Sequence, residues 1–188
     1  MMQLNASAQS KTGIENYNFL SSKAAYVWMP VIHHAGKKGS YIEMRYNYED
    51  IGTASVYTGK SFTKKGPFNY TITPMAGWVF GNFNGGSLAL NADVDHKKTF
   101  ASMQTQYSIN SNDAGRSFFF NWTECGYQVS KWLYAGVSTQ QTMQRSGDVV
   151  SEYGLLTGFV INKVTIPLYI FNPLNKNKNF IIGINTEW

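Results

Sequence analysis

The stretch YIEMRYNYED, residues 41–50, holds the residues whose types and spacing are most suggestive of chemistry: Glu43, Arg45 and Glu49. Tyr41, Glu43, Arg45, Asn47 and Glu49 share one parity, and Ile42, Met44, Tyr46 and Tyr48 share the other. Successive side chains of a strand point to opposite faces. One face here therefore carries two acids around a base, and the other is apolar with a phenolic rim. A soluble sheet would bury the apolar face, whereas a membrane barrel would turn it to lipid and keep the charges in its lumen. Charges in a confined interior must pair, because unpaired ones are costly. The trio then reads either as a salt-bridged plug or as a charge ring lining a narrow pore. The plug is favoured, since a barrel becomes clearly aqueous only at about 16–18 strands. On this reading Tyr48 joins an aromatic girdle facing lipid, and Arg45→Gln leaves folding nearly intact.

Other constellations are weaker. Asp93 and Asp95 lie at i and i+2 beside His96, and Asp93 is a further lumen-facing charge candidate. Calcium would want several more oxygen ligands, so no metal site is expected. His33 and His34 sit at a strand end, and no Gly-x-Ser-x-Gly elbow is present; Ser87 follows two glycines that mark a tight turn. Nothing assembles a nucleophile, base and orienting group, and there is no phosphate-binding or dinucleotide fingerprint. The expectation is a non-catalytic protein without a cofactor, with a lipid-modifying hydrolase as the second alternative.

The elements that must position these residues are strands. The 188 residues contain 15% aromatics and 17 glycines, but only 14% charged residues, against about 25% for soluble domains. The net charge of +5 comes partly from short lysine pairs in turns, not from one basic stripe, which argues against nucleic-acid binding. Cys125 is the single cysteine, so no internal disulfide or multi-cysteine zinc site is available. No window approaches 18 consecutive apolar residues, which excludes a transmembrane helix but not a strand-built membrane protein.

Residues 1–22 read as a polar tail, with Ala6-Ser7-Ala8 before Gln9 as the remnant of a trimmed secretory signal. From residue 23 to 188 the chain divides into about eleven strand-length segments separated by turn residues. Ser102, Gln104, Gln106 and Ser108 oppose Met103, Thr105, Tyr107 and Ile109; Ala89, Asn91, Asp93 and Asp95 oppose Leu88, Leu90, Ala92 and Val94. Mid-strand amides and hydroxyls suit a crowded, hydrogen-bonded barrel interior. The segment with Phe118, Phe120 and Trp122 on one parity and Phe119 and Tyr127 on the other cannot be oriented.

The closing FIIGINTEW puts Phe180, Ile182, Ile184, Thr186 and Trp188 on one face. It resembles the C-terminal insertion signal of bacterial outer-membrane proteins through Gly183 and the terminal Trp188, while Thr186 departs from the pattern. An open edge in lipid leaves backbone groups unsatisfied, so the last strand must close on the first. Closure with an even strand number requires a twelfth strand, expected within residues 12–21. The fold class is all-β: a single antiparallel up-and-down transmembrane β-barrel of about 12 strands.

RYNYED with Gly52, ITPMAG (72–77), FFNWTE (119–124) and FNP (171–173) carry a narrower likeness. Over residues 25–188 the chain resembles uncharacterised outer-membrane barrels of the Bacteroidetes. The resemblance implies fold and outer-membrane location, and transfers no activity. Outer-membrane lipid, the barrel-assembly machinery during insertion, and proteins met through extracellular loops or periplasmic turns are the expected partners, with no nucleic acid. The rival is a soluble lipocalin-like barrel binding a small apolar ligand, which would put apolar residues inside and charge outside.

Overall fold

The structure, a computed structural model, describes residues 10–21, 25–176 and 178–188. Its strands are β1 (Lys11–Ser21), β2 (Val27–Ala35), β3 (Ser40–Tyr46), β4 (Thr53–Lys60), β5 (Phe62–Lys64), β6 (Asn69–Gly81), β7 (Gly85–His96), β8 (Thr99–Asn110), β9 (Phe118–Gln128), β10 (Leu133–Gln144), β11 (Val149–Ile161), β12 (Val164–Phe171) and β13 (Asn179–Glu187). A single 3₁₀ turn, Ala114–Arg116, precedes β9 among the described residues. β4 and β5 lie end to end along β6, so thirteen segments make twelve staves. Every neighbouring pair is antiparallel, and the β4–β6 and β1–β13 ladders close the sheet into a barrel. Closure removes the unsatisfied edges that lipid would not tolerate.

The strand expected within residues 12–21 is β1. It pairs with β13 from Gly13↔Glu187 to Ser21↔Asn179, and Thr12 and Trp188 exchange two backbone hydrogen bonds of 2.8 and 2.9 Å. The Ala6-Ser7-Ala8 run lies outside the described residues. One segment boundary differs from the alternation read over residues 41–49. β3 ends at Tyr46, because Asn47 adopts a positive φ of 58° and its side-chain oxygen accepts from Gly52 N–H, which starts the turn early. β11 begins at Val149 and pairs with β10 from Met143↔Val149 onward.

The faces are sorted throughout by the two-residue period. Ile14, Ile32, Ile42, Met44, Ile72, Trp78, Leu88, Leu155, Ile182 and Ile184 point outward and are exposed. Thr53, Ser55, Thr73, Ser87, Gln106, Ser108 and Ser138 point inward and are buried. In β9, Phe118 and Trp122 face inward, which orients the strand the sequence left open. An apolar exterior around a polar, charged interior is the reverse of a lipocalin-like barrel, and an exposed apolar band on this scale requires lipid or a partner.

The barrel has two dissimilar ends. The end that carries Lys11 and Glu187 is closed by five turns, at residues 36–39, 65–68, 97–98, 129–132 and 162–163. Lys37, Lys38, Lys64, Lys65, Lys97, Lys98, Lys131 and Lys163 lie in or beside these turns, and no acid does. The opposite, loop end carries the segments at 47–52, 111–117 and 172–178.

Inward glycines make room for neighbouring rings. A Cβ on Gly77 would lie 2.5 Å from the Tyr57 ring on the paired residue of β4. Gly77→Val is therefore expected to cost about 1–3 kcal/mol by overpacking, read as a lower urea midpoint for the barrel folded in liposomes. An unchanged midpoint would show that the ring does not rest on this glycine.

Candidate functional site

The lumen contains a plug toward the loop end and a cavity toward the termini end. The plug is centred on Arg45. Its side chain and that of Glu43 are only 3% and 4% exposed, and the Glu49 side chain 0%. Arg45 Nε donates to Glu43 Oε1 at 2.5 Å, and Nη1 donates to Gln106 Oε1 at 2.6 Å and lies 3.8 Å from Glu49. The guanidinium is held between the rings of Tyr48 and Tyr57, 4.5 and 4.4 Å from their centroids. Glu49 accepts from Ser55 Oγ and from the Tyr57 hydroxyl at 2.8 Å, while Glu43 also accepts from the Tyr41 hydroxyl at 2.6 Å. Charge-assisted bonds and ring stacking together satisfy a cation that burial alone would expel.

Because Gln106 stands on β8, four staves from β3, the Arg45–Gln106 bond crosses the lumen. Tyr48 reinforces the crossing. The turn at Asn47 breaks strand alternation, so Tyr48 swings inward, donates to Gln104 Oε1 at 2.6 Å and meets Phe120 edge-on. This corrects the sequence expectation of a lipid-facing girdle residue. Burial raises its phenol pKa.

An aromatic bridge runs beside the plug. Tyr17 on β1 reaches Trp122 on β9 at 5.4 Å between centroids, and Trp122 meets Tyr169 on β12 at 5.2 Å. Trp122 Nε1 donates to Ser138 Oγ at 2.8 Å. At the loop mouth Phe83 folds in from the β6–β7 turn, meets Phe118 edge-on, and donates its backbone N–H to Thr53 Oγ1.

Toward the termini end the lumen opens into a cavity of about 570 Å³. Glu15, Asp93, Glu124 and Glu187 line it, with Tyr17, Trp122, Tyr134 and Tyr169 as aromatic wall. Asp93 thus faces the lumen but joins the cavity, apart from Glu43, Arg45 and Glu49. Gly183 faces inward beneath Pro167 and Tyr17, and Trp188 stands exposed at the rim. The sequence reading did not single out Tyr17, Trp122, Tyr169, Glu15 or Glu124. Their strand parity was the one signal available, and β9 carries large aromatics on both faces.

The histidines are scattered. His33 sits inside the mouth, 3.5 Å from Glu15 and 3.9 Å from Glu187. His34 meets the Thr12 hydroxyl at 2.8 Å on the outer face, with no acid or amide side chain hydrogen-bonded behind it among the described residues. His96 stacks on Phe68 and bonds the Pro67 carbonyl. No group of three metal-ligating side chains occurs among the described residues.

A closed twelve-stave antiparallel barrel, apolar outside and polar within, has the architecture of outer-membrane porins. Comparison with solved structures bears this out at the level of fold. The chain is similar to the KdgM porin, with a TM-score of 0.66, 10% identity, and coverage of 93% of this chain and 98% of that one. It is similar to the NanC porin with a TM-score of 0.68, 9% identity, and coverage of 92% and 98%. OccAB4 of Acinetobacter baumannii matches with a TM-score of 0.53 and 13% identity, over 92% of this chain and 56% of that one. No protein-family model and no curated protein matches the sequence.

Proposed function

We propose that the chain is an integral barrel of the bacterial outer membrane, closed at rest by its own side chains and non-catalytic, serving as an anchor or assembly unit with at most a limited pore. One observation carries the closed state: Arg45 and Gln106 are hydrogen-bonded across the lumen while both are buried, with Ser55, Tyr57 and Ser108 buried around them. A water-filled channel would leave such inward side chains accessible. The apolar exterior supports the membrane location, and the fold likeness to porins agrees with it. The narrower likeness to Bacteroidetes barrels rests on the four sequence stretches and adds no activity.

Outer-membrane lipid surrounds the band, and the lysine turns at the termini end face anionic headgroups. The β13 strand with Gly183 and Trp188 offers the barrel-assembly machinery its insertion signal. The loop-end segments and the turns of the opposite end are the surfaces open to protein partners. No nucleic acid is involved.

The test is single-channel recording on protein folded into liposomes. Wild type is expected to show a heat-modifiable gel mobility and either silence or brief, small steps. Tyr48→Ala combined with Trp122→Ala, which removes one residue from each crossing, is expected to give sustained steps. Large, stable conductance from wild type would overturn the closed reading, and solubility without detergent would overturn the membrane reading.

A further inference from the structure

The plug uses Glu43, Arg45 and Glu49, but it leaves the cavity beyond it unexplained. Porin-like lumens pass solutes, and one of the fold neighbours was solved as the KdgM porin in complex with disordered oligogalacturonate, an anionic chain. The cavity here has the opposite character. Glu187 is matched by Lys11 at 2.6 Å, and Glu15 has His33 beside it. Glu124, which accepts a hydrogen bond from the Tyr169 hydroxyl, and Asp93, exposed at the open side of the cavity, have no cation within salt-bridge distance among the described residues. Lys65 reaches the lining near the mouth. Two buried acceptors, Asn91 Oδ1 and Asn185 Oδ1, also lack a partner, and both residues line the same cavity. Such orphaned buried acceptors cost free energy unless something donates to them.

The walls between these acceptors are aromatic. Tyr17, Trp122 and Tyr169 form the floor, and Tyr134 stands on the β10 side. Aromatic faces attract cations, most strongly when water is displaced. Carboxylates without a cation, amide oxygens without a donor and π-faces around one cavity all favour the same complement, a donor-rich positive charge. No metal cluster forms there among the described residues, and carboxylates spread around an aromatic-walled cavity do not converge on a compact ion.

We propose that the cavity is a binding site for a linear aliphatic polyamine, its ammonium groups held by Glu124, Asp93 and Glu15 and its methylene chain laid against Trp122 and Tyr169. The size agrees with a small ligand, since ligand pockets run from about 300 to 1,000 Å³. Apart from Lys65, which reaches the lining, the lysines of the five turns belong to the outer rim, where salt and headgroups screen them. Binding is read on the folded barrel in detergent, so it stands whether or not the lumen conducts.

The experiment is calorimetric titration of spermidine into wild type, Glu124→Gln and Asp93→Asn, with a trigalacturonate titration as the anionic counter-probe. Folding of each variant is checked first by its heat-modifiable mobility. Saturable binding near one per barrel is expected in wild type, weakened at least tenfold in either variant and unchanged in Asp113→Asn, a loop-end acid outside the cavity. Absence of saturable binding, binding by either cavity variant equal to that of wild type, or preference for trigalacturonate would overturn the proposal.

Discussion

Replacing Arg45 by Gln is expected to destabilise the folded barrel by about 3–5 kcal/mol, the usual cost of removing one partner from a buried ion pair. Gln can preserve a hydrogen bond toward Gln106, but it brings no charge to two carboxylates. Glu43 and Glu49 would face each other in a space where their side chains are almost wholly enclosed. The rings of Tyr48 and Tyr57 would lose the cation they clasp. The measurement is equilibrium urea unfolding in liposomes, followed by tryptophan fluorescence. Adding Glu43→Gln to the variant should restore part of the loss, because it removes one of the stranded charges. The sequence alone pointed to near-neutral behaviour for Arg45→Gln. The structure reverses that expectation, because the guanidinium is a buried crosslink that reaches Gln106 across the lumen. A loss below about 1 kcal/mol, the scale of an exposed pair, would mean that the pair is solvated.

Met44→Arg, one residue away on the opposite face, is expected to lower stability in a bilayer by about 2–4 kcal/mol if the site lies near the midplane. Met44 is flanked across the wall by Ile32 on β2 and Val56 on β4, with Ile14 and Trp78 one stave further on each side. This row offers an arginine neither an acid nor water. The effect should be specific to lipid: small in short-chain detergent, large in liposomes. It is read as the yield of heat-modifiable protein and as the unfolding midpoint. Equal tolerance in liposomes and detergent would place residue 44 in water and remove the membrane assignment. The two substitutions together separate the faces of one strand, since Arg45→Gln should destabilise the barrel in both media.

How much was legible in the sequence depended on the kind of information each feature needs. The two-residue alternation in β3, β7, β8 and β13 sorted side chains between faces without knowledge of their neighbours, because the pleat alone sets that period. The scarcity of charge and the amides in mid-strand indicated which face was inside. The closing strand demanded a partner, and the need to satisfy its backbone in lipid led to β1. Alternation could not orient β9, where Phe119 and Phe120 are equally bulky; only the positions of β8 and β10 put Trp122 inside.

Tertiary structure decided the rest. Tyr48 obeys strand parity in the sequence and breaks it in the fold, because Asn47 at φ 58° ends the strand and redirects the chain over Arg45. The pairings Arg45–Gln106, Tyr48–Gln104 and Tyr17–Trp122 join staves far apart in the sheet. Such contacts depend on barrel curvature and stagger, which no local pattern encodes. The sequence by itself determined a closed strand-built barrel, apolar without and polar within, since periodicity and backbone satisfaction are local demands. Whether that lumen is filled or open, and which acids remain unpaired, was decided only when the twelve staves brought side chains from opposite walls into contact.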